Sequence, residues 1–261
     1  MNDQPIGIFD SGIGGTSIWK EVHKLLPNES TIYLADSINA PYGQKTKQEI
    51  INLSKKNVEF LLKKKCKIII VACNTATTNA IDFLRQNYDV PFIGIEPAIK
   101  PASLKTKTKT IGILATKGTL NSHLFEKTSS LIDSNIQIIE QIGEGLVELI
   151  EQGLVNSDEM QSLLKKYLNP MLEKNIDCLV LGCTHYPYLI SNIRKIVGQK
   201  ITIIDSGEAV ARQTKRVIEN INALNTSSSE EKTHLFYSNK DKSILNTFLK
   251  GYNSNIIQCD F

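Results

Sequence analysis

Ile69-Ile-Val-Ala-Cys73-Asn-Thr75 and, 110 residues further on, Leu179-Val-Leu-Gly-Cys183-Thr-His185 decide how this chain is read. Each is an unbroken apolar, β-branched run that ends on a cysteine and opens into polar residues. Runs of this length, closed by turn residues, read as strands buried on both faces, the pattern of parallel sheets. Similar runs lie at Ile6–Phe9, Thr31–Leu34, Lys67–Ala72, Pro91–Ile95, Thr110–Leu114, Ile136–Ile139, Cys178–Gly182 and Ile201–Ile204. Helical patterns separate them. The clearest is Met160, Leu163, Leu164, Tyr167, Leu168, Met171 and Leu172, with Pro170 predicting a kink or a restart inside it. Strands alternating with helices predict an α/β fold with parallel sheets wound by right-handed crossovers.

A second echo pairs Ile8-Phe-Asp10-Ser-Gly12 with Ile203-Ile-Asp205-Ser-Gly207. The spacing suits two similar lobes, each a mostly parallel sheet flanked by helices, with the active site between them. The chain is expected to leave lobe one at Glu96-Pro97 and to return after Asp205-Ser206-Gly207. Lobe one then holds residues 1–97 plus 208–261, and lobe two residues 98–207. The basic stretch Lys105-Thr-Lys107-Thr-Lys109 reads as a solvated connecting loop, and Asn225–Lys232 as a polar surface loop. The last ~50 residues carry no motif.

Composition bounds the function. The 261 residues are 41% hydrophobic and 22% charged, which excludes a disordered or fibrous chain. Lys+Arg 30 against Asp+Glu 27 leaves a net charge of only +3, no footprint for a nucleic-acid partner. Five cysteines cannot all pair, and reduced thiols in a reducing compartment are the simplest expectation. Met1-Asn-Asp-Gln-Pro5 lacks the features of a signal peptide, and no run nears ~20 apolar residues. A soluble cytoplasmic protein without a membrane partner is expected.

In open α/β sheets ligands bind beyond the carboxyl ends of the strands. Polar residues stand at nearly every such end here: Asp10-Ser11-Gly12, Asp36-Ser37, Cys73-Asn74-Thr75, Thr116–Thr119, Cys183-Thr184-His185 and Asp205-Ser206-Gly207. The loop Asp10-Ser-Gly-Ile-Gly-Gly-Thr16 leads into a helix. Its spacing is neither a dinucleotide fingerprint nor a P-loop, so a carboxylate cradle and a tight structural turn both stay open. Ser11 can donate to an anion there.

Cys66, Cys178 and Cys259 fit the ordinary role of a small buried hydrophobe. Cys73 and Cys183 differ, because each closes a strand where helix-start amides can lower a thiol's pKa. Two facing lobes would set these thiols on opposite sides of one substrate atom, an arrangement suited to proton exchange with inversion. His185 can polarise Cys183, join it on a metal, or hydrogen-bond a substrate. A zinc site of Cys73, Cys183 and His185 is set aside, because no carboxylate or second histidine clusters with them. His23, His123 and His234 read as structural.

Taken together, Asp10-Ser-Gly-Ile-Gly-Gly15, Ala40-Pro-Tyr-Gly43, Ala72-Cys-Asn-Thr-Ala76, Gly182-Cys-Thr-His-Tyr-Pro187, Asp205-Ser-Gly207 and Val147-Glu-Leu-Ile-Glu-Gln-Gly153 resemble the glutamate racemases of the cofactor-independent aspartate/glutamate racemase family. The resemblance runs from about Gly7 to Ala211. It implies a two-base mechanism without cofactor or metal: one thiolate removes the α-proton of glutamate and the opposite thiol protonates the other face. It further implies that Cys73 serves the D-enantiomer with Asp10 as partner, and that Cys183 serves the L-enantiomer with Glu151 and His185 as partners. Ser11, Tyr42, Gly43, Asn74, Thr75, Thr116, Thr119, Thr184 and His185 are expected to line the substrate pocket, with Asp10 beside them. A homodimer and a supply of D-glutamate for the peptidoglycan of the cell wall are implied as well. The first strand begins at about Ile6 with no arm before it, which argues mildly against regulation by a cell-wall precursor.

Asp10 cannot activate a thiol by charge alone, since a nearby carboxylate raises a thiol's pKa; it can accept the thiol proton. Three alternatives compete. A racemase or isomerase of aspartate, hydantoin or maleate uses the same paired cysteines. A two-lobed binding protein leaves the matched cysteines unexplained, and a Cys-His hydrolase leaves one of them idle.

Overall fold

The computed structural model describes residues 3–226 and 232–261. Met1, Asn2 and 227–231 lie outside the described residues, so the start of the chain and most of the polar stretch 225–232 are not characterised. The eight apolar runs all form strands: β1 (Ile6–Asp10), β2 (Thr31–Ala35), β3 (Ile68–Val71), β4 (Phe92–Gly94), β5 (Thr110–Ala115), β6 (Gln137–Ile142), β7 (Cys178–Gly182) and β8 (Thr202–Ile204). Two more follow, β9 (His234–Ser238) and β10 (Asn255–Gln258), in the stretch where no motif was visible.

The strands make two sheets, ordered β10-β9-β2-β1-β3-β4 and β6-β5-β7-β8, and every pairing is parallel. Parallel neighbours need crossovers, which the helices supply. β1, β2, β3, β5 and β7 are buried along their whole length, as two-faced burial requires. Their polar ends therefore gather at the carboxyl edges of the sheets. The two-lobed α/β architecture read from the sequence is the observed one.

The helix Asp158–Glu173 runs through Pro170 without a restart. Met160, Leu164, Tyr167, Leu168 and Met171 bury its apolar face, while Lys166 and Pro170 are both exposed. The carbonyl that Pro170 leaves without an amide partner thus lies on the solvent side, where water satisfies it. The lysine-rich stretch before β5 is a connecting turn, as expected. Its bonds run to Asp177, which accepts from the Lys107 amide at 2.5 Å and the Thr108 amide at 3.1 Å. Among the described residues no helix is long and apolar enough to cross a membrane.

The C-terminal segment supplies three rings of an aromatic cluster, His234 and Phe236 from β9 and Tyr252 from the turn before β10. Trp19 stacks on His23, and His234, Phe236 and Tyr252 meet it edge-on. Trp19 Nε1 donates to Thr31 Oγ1 at 2.8 Å, and Thr31 Oγ1 is hydrogen-bonded to His234 Nδ1 at 2.9 Å. Burial, with His23 next to it, pushes the His234 pKa down from 6.5 to about 4. Between pH 6.5 and 4 the unfolded chain therefore binds the extra proton, so this contribution is full above pH 6.5 and is lost as pH falls towards 4. The melting temperature should drop more steeply over that window in the wild type than in His234→Phe. Parallel curves would mean that His234 does not resist protonation.

Candidate active site

Cys73 stands two residues after β3 and caps the helix Asn74–Asn87, its Sγ accepting from the Ala76 amide at 3.4 Å. Its thiol also lies 3.7 Å from Ser11 Oγ. The helix-start amide does not win. Burial and the Asp10 carboxylate push the Cys73 thiol well above its usual pKa, so it rests protonated; the expectation of a lowered value is overturned. Cys183 follows β7 but caps no helix. Its partner is His185, with Sγ 3.7 Å from Nδ1. The other ring nitrogen, Nε2, is 2.6 Å from Glu151 Oε1. Burial opposes protonation of His185, yet the bonds to Cys183 and Glu151 outweigh it and hold the imidazole well above its usual pKa.

One narrow cleft between the two sheets is lined by both thiols. Ser11, Tyr42, Gly43, Asn74 and Thr75 line it from the six-stranded side. Thr116, Thr184 and His185 line it from the other. Thr119 is buried behind Thr116, and the hydroxyls of Thr75, Thr116 and Thr119 meet at 2.8, 3.0 and 3.3 Å. Asn74 is buried at the cleft wall, and neither end of its amide has a partner among the described residues. A buried unpaired amide is costly, and here it faces the place where a ligand would sit. The Tyr42 hydroxyl, by contrast, is committed to Asp36 and accepts from Asn57 at 3.2 Å, so the ring walls the cleft while its oxygen points away.

Asp10 and Glu151 do not line the cleft; each stands one layer behind it. The Asp10 carboxylate accepts from the amides of Gly15 at 2.9 Å and Gly12 at 3.2 Å, and from Thr184 Oγ1 across the lobes at 3.4 Å. Burial pushes its pKa up to about 6, while His185 and the two amides pull the other way. A carboxyl poised there exchanges protons near neutral pH. It reaches Cys73 through charge rather than through a hydrogen bond. Among the described residues no three His, Cys, Asp or Glu side chains form a metal-holding group.

Several contacts at this site escaped the sequence. Pro41 and Val147 complete the cleft wall. Ser17 Oγ donates to the Thr184 carbonyl at 2.8 Å, the Ile13 amide to Glu151 at 2.6 Å, and Ser37 Oγ to Glu151 at 3.3 Å. All three join residues more than a hundred positions apart, where no local signal exists.

Two thiols at matched strand ends, on facing walls of a cleft between parallel sheets, each backed by a carboxylate, define a class of proton-transfer enzyme. Comparison with known proteins places the chain within that class: it belongs to the Asp/Glu/Hydantoin racemase family, whose model matches residues 11–214. It is 43% identical to the glutamate racemase of Herpetosiphon aurantiacus over 88% of this chain and 91% of that one. It is 42% identical to that of Clostridium botulinum over 97% of this chain and 98% of that one. Among solved structures, a glutamate racemase of Bacillus anthracis superposes with a TM-score of 0.89 at 31% identity, covering 100% of this chain and 98% of that one. The Francisella tularensis enzyme, solved with D-glutamate, gives 0.86 at 30% identity, covering 100% and 98%.

Proposed function

We propose that this chain interconverts L- and D-glutamate by a two-base mechanism on Cys73 and Cys183. The observation that carries the reading is the presence of both thiols on one cleft, Cys183 bonded to His185 and Cys73 within the field of the buried Asp10 carboxylate. The relatives that act on glutamate support the substrate. In the L-to-D direction Cys183, as thiolate against the charged His185, takes the α-proton. The C–H bond breaks, an S–H bond forms, and the electron pair stays on the α-carbon, spread into its carboxylate. Cys73 gives its proton to the opposite face and is left as a thiolate. The D-to-L direction is the reverse, with Asp10 placed to exchange the Cys73 proton. A further turnover requires the proton on Cys183 to leave and one to return to Cys73.

The α-proton is far less acidic than a thiol, so the developing carbanion needs donors already in place. Asn74, Thr75 and Thr184 are assigned that work, with Ser11, Tyr42, Gly43, Thr116, Thr119 and His185 shaping the pocket. We assign the lobes as residues 1–97 plus 208–261 and residues 98–207. The two crossings are tied together, since Ser206 Oγ donates to the Glu96 carbonyl at 2.6 Å. The product D-glutamate would feed peptidoglycan synthesis from the cytoplasm, and the chain would act as a homodimer without cofactor.

The test is incubation of L-glutamate, D-glutamate and L-aspartate in deuterated buffer with chiral analysis. Glutamate should racemise and take up one α-deuteron, and aspartate should not. Retention of the α-proton in all three would leave a binding protein. Thr75→Val removes one donor at nearly constant shape and should lower kcat/KM about fivefold to tenfold, the worth of one hydrogen bond. Unchanged KM and kcat would make Thr75 a structural turn residue.

A further inference from the structure

Glu151 ends the helix Leu146–Glu151 on the side of the four-stranded sheet, yet its carboxylate is held from the other lobe. Oε1 accepts from the Ile13 amide at 2.6 Å, and Oε2 from Ser37 Oγ at 3.3 Å. Ile13 belongs to the glycine loop after β1, and Ser37 to the turn after β2. The same Oε1 receives His185 Nε2 at 2.6 Å, and His185 bonds Cys183. The glycines of the loop have a reason that the cradle reading missed. A Cβ on Gly12 would stand 1.9 Å from Glu151 Oε1, and one on Gly14 would stand 2.2 Å from His185 Nδ1. Only a bare backbone lets lobe one press this closely on the lobe-two relay.

Ser37 is itself braced. Its neighbour Asp36 accepts from Asn39 at 2.7 Å and from Asn239 at 2.6 Å, and the Ile38 amide donates to Asn239 Oδ1 at 3.0 Å. Asn239 directly follows β9, so the C-terminal strands fix the turn that carries Ser37.

We infer that Ser37 and the Ile13 amide are positioning groups for the Cys183 side of the reaction: they orient Glu151, and through it His185, only when the lobes are closed on each other. Proton transfer at Cys183 is thereby coupled to closure more directly than at Cys73, whose own hydrogen bonds, to Ser11 and the Ala76 amide, come from its own lobe. The inference rests on the two-base reading.

The two thiols can be told apart by isotope effects. Cys183 removes deuterium from α-deuterated L-glutamate and Cys73 removes it from α-deuterated D-glutamate. Equal stabilities of the enantiomers force any variant to lose kcat/KM equally in both directions, so the loss alone does not discriminate. Ser37→Ala should lower kcat/KM about fivefold to twentyfold. It should raise the isotope effect on kcat/KM with the L-substrate and lower it with the D-substrate, because the Cys183 step becomes the slower one. Ser37→Thr, which keeps the hydroxyl, should restore the wild-type pair of values. In a Glu151→Gln background Ser37→Ala should cost less than in the wild type, since the two act on one carboxylate. Gly12→Ala should show the same asymmetry with a larger loss, and Ser37→Ala carries the test even where Gly12→Ala fails to fold. Isotope effects that move together, or a full extra loss in the Glu151→Gln background, overturn this inference alone. A wild-type chain that exchanges no α-proton of glutamate overturns the two-base reading with it.

Discussion

Cys73→Ala and Cys183→Ala should each abolish racemisation, while each retains half of the chemistry. A full turnover removes a proton on one face and delivers one on the other, so a single thiol cannot complete it. One thiol suffices for a β-substituted glutamate that expels its leaving group after deprotonation, because no second proton is then delivered. Cys183→Ala keeps Cys73 and should act on the D-analogue; Cys73→Ala keeps Cys183 with its His185–Glu151 relay and should act on the L-analogue. Cys→Ser at either position should leave only a trace of racemisation, since a hydroxyl is a much weaker acid than a thiol, which in water ionises at about pH 8.5. Cys66 and Cys178 are buried away from the cleft lining and Cys259 is half-buried near the C-terminus, so their replacement by Ala should cost stability at most. Chiral chromatography for racemisation and product release from each analogue decide the matter. Full racemase activity in either alanine variant would falsify the two-base assignment. Elimination without the mirrored preference would remove the assignment of faces.

The parts of the fold that were legible share a physical cause. β1, β3, β5 and β7 are buried on both faces, so nearly every residue along them is apolar and the signal survives in one sequence. β10 is an edge strand, half-exposed at Asn255-Ile-Ile-Gln258, and shows only a short apolar pair. β9 lies between β2 and β10 but is built of His234-Leu-Phe-Tyr-Ser238, in which aromatics and polar residues that serve the Trp19 cluster break the apolar run. The helix through Pro170 shows the opposite limit: a breaker residue is tolerated where the amide it deletes would have bonded a carbonyl exposed to water.

The site divides along the same line. Residues at the ends of β1, β3, β5 and β7 could be singled out because strand ends are where polar groups must lie. Charge balance inside the site could not. Whether the amide beside Cys73 or the burial around it prevails depends on how the other lobe closes over the thiol. Glu151 was reached only through resemblance, because its partners Ile13 and Ser37 stand 138 and 114 residues away. Tyr42 lines the pocket as expected, and only the fold shows that Asp36 claims its hydroxyl.

Lys67→Met should be among the most destabilising single changes in the chain, without touching the cleft. Lys67 Nζ lies 2.6 Å from Glu29 Oε2, and both side chains are 1% exposed. Nζ also donates to the Ala223 carbonyl at 2.8 Å, and Glu29 Oε1 accepts the Asn225 amide at 2.8 Å. The pair thus fastens three segments: the approach to β3, the turn before β2, and the chain after the helix Gly207–Asn220. Removing one partner of such a pair strands the other charge away from water, at about 3–5 kcal/mol. For a chain of this size that is a fall in Tm of roughly 6–20 °C. Removing both charges in Lys67→Met/Glu29→Leu leaves no stranded ion and should recover a large part of the loss, although the Asn225 amide gives up its acceptor. Calorimetry of the wild type, the two single variants and the double variant closes the cycle. A single variant melting within about 2 °C of wild type, or a double variant whose loss is the sum of the singles, would show that water reaches the pair and that the three segments are held by packing alone.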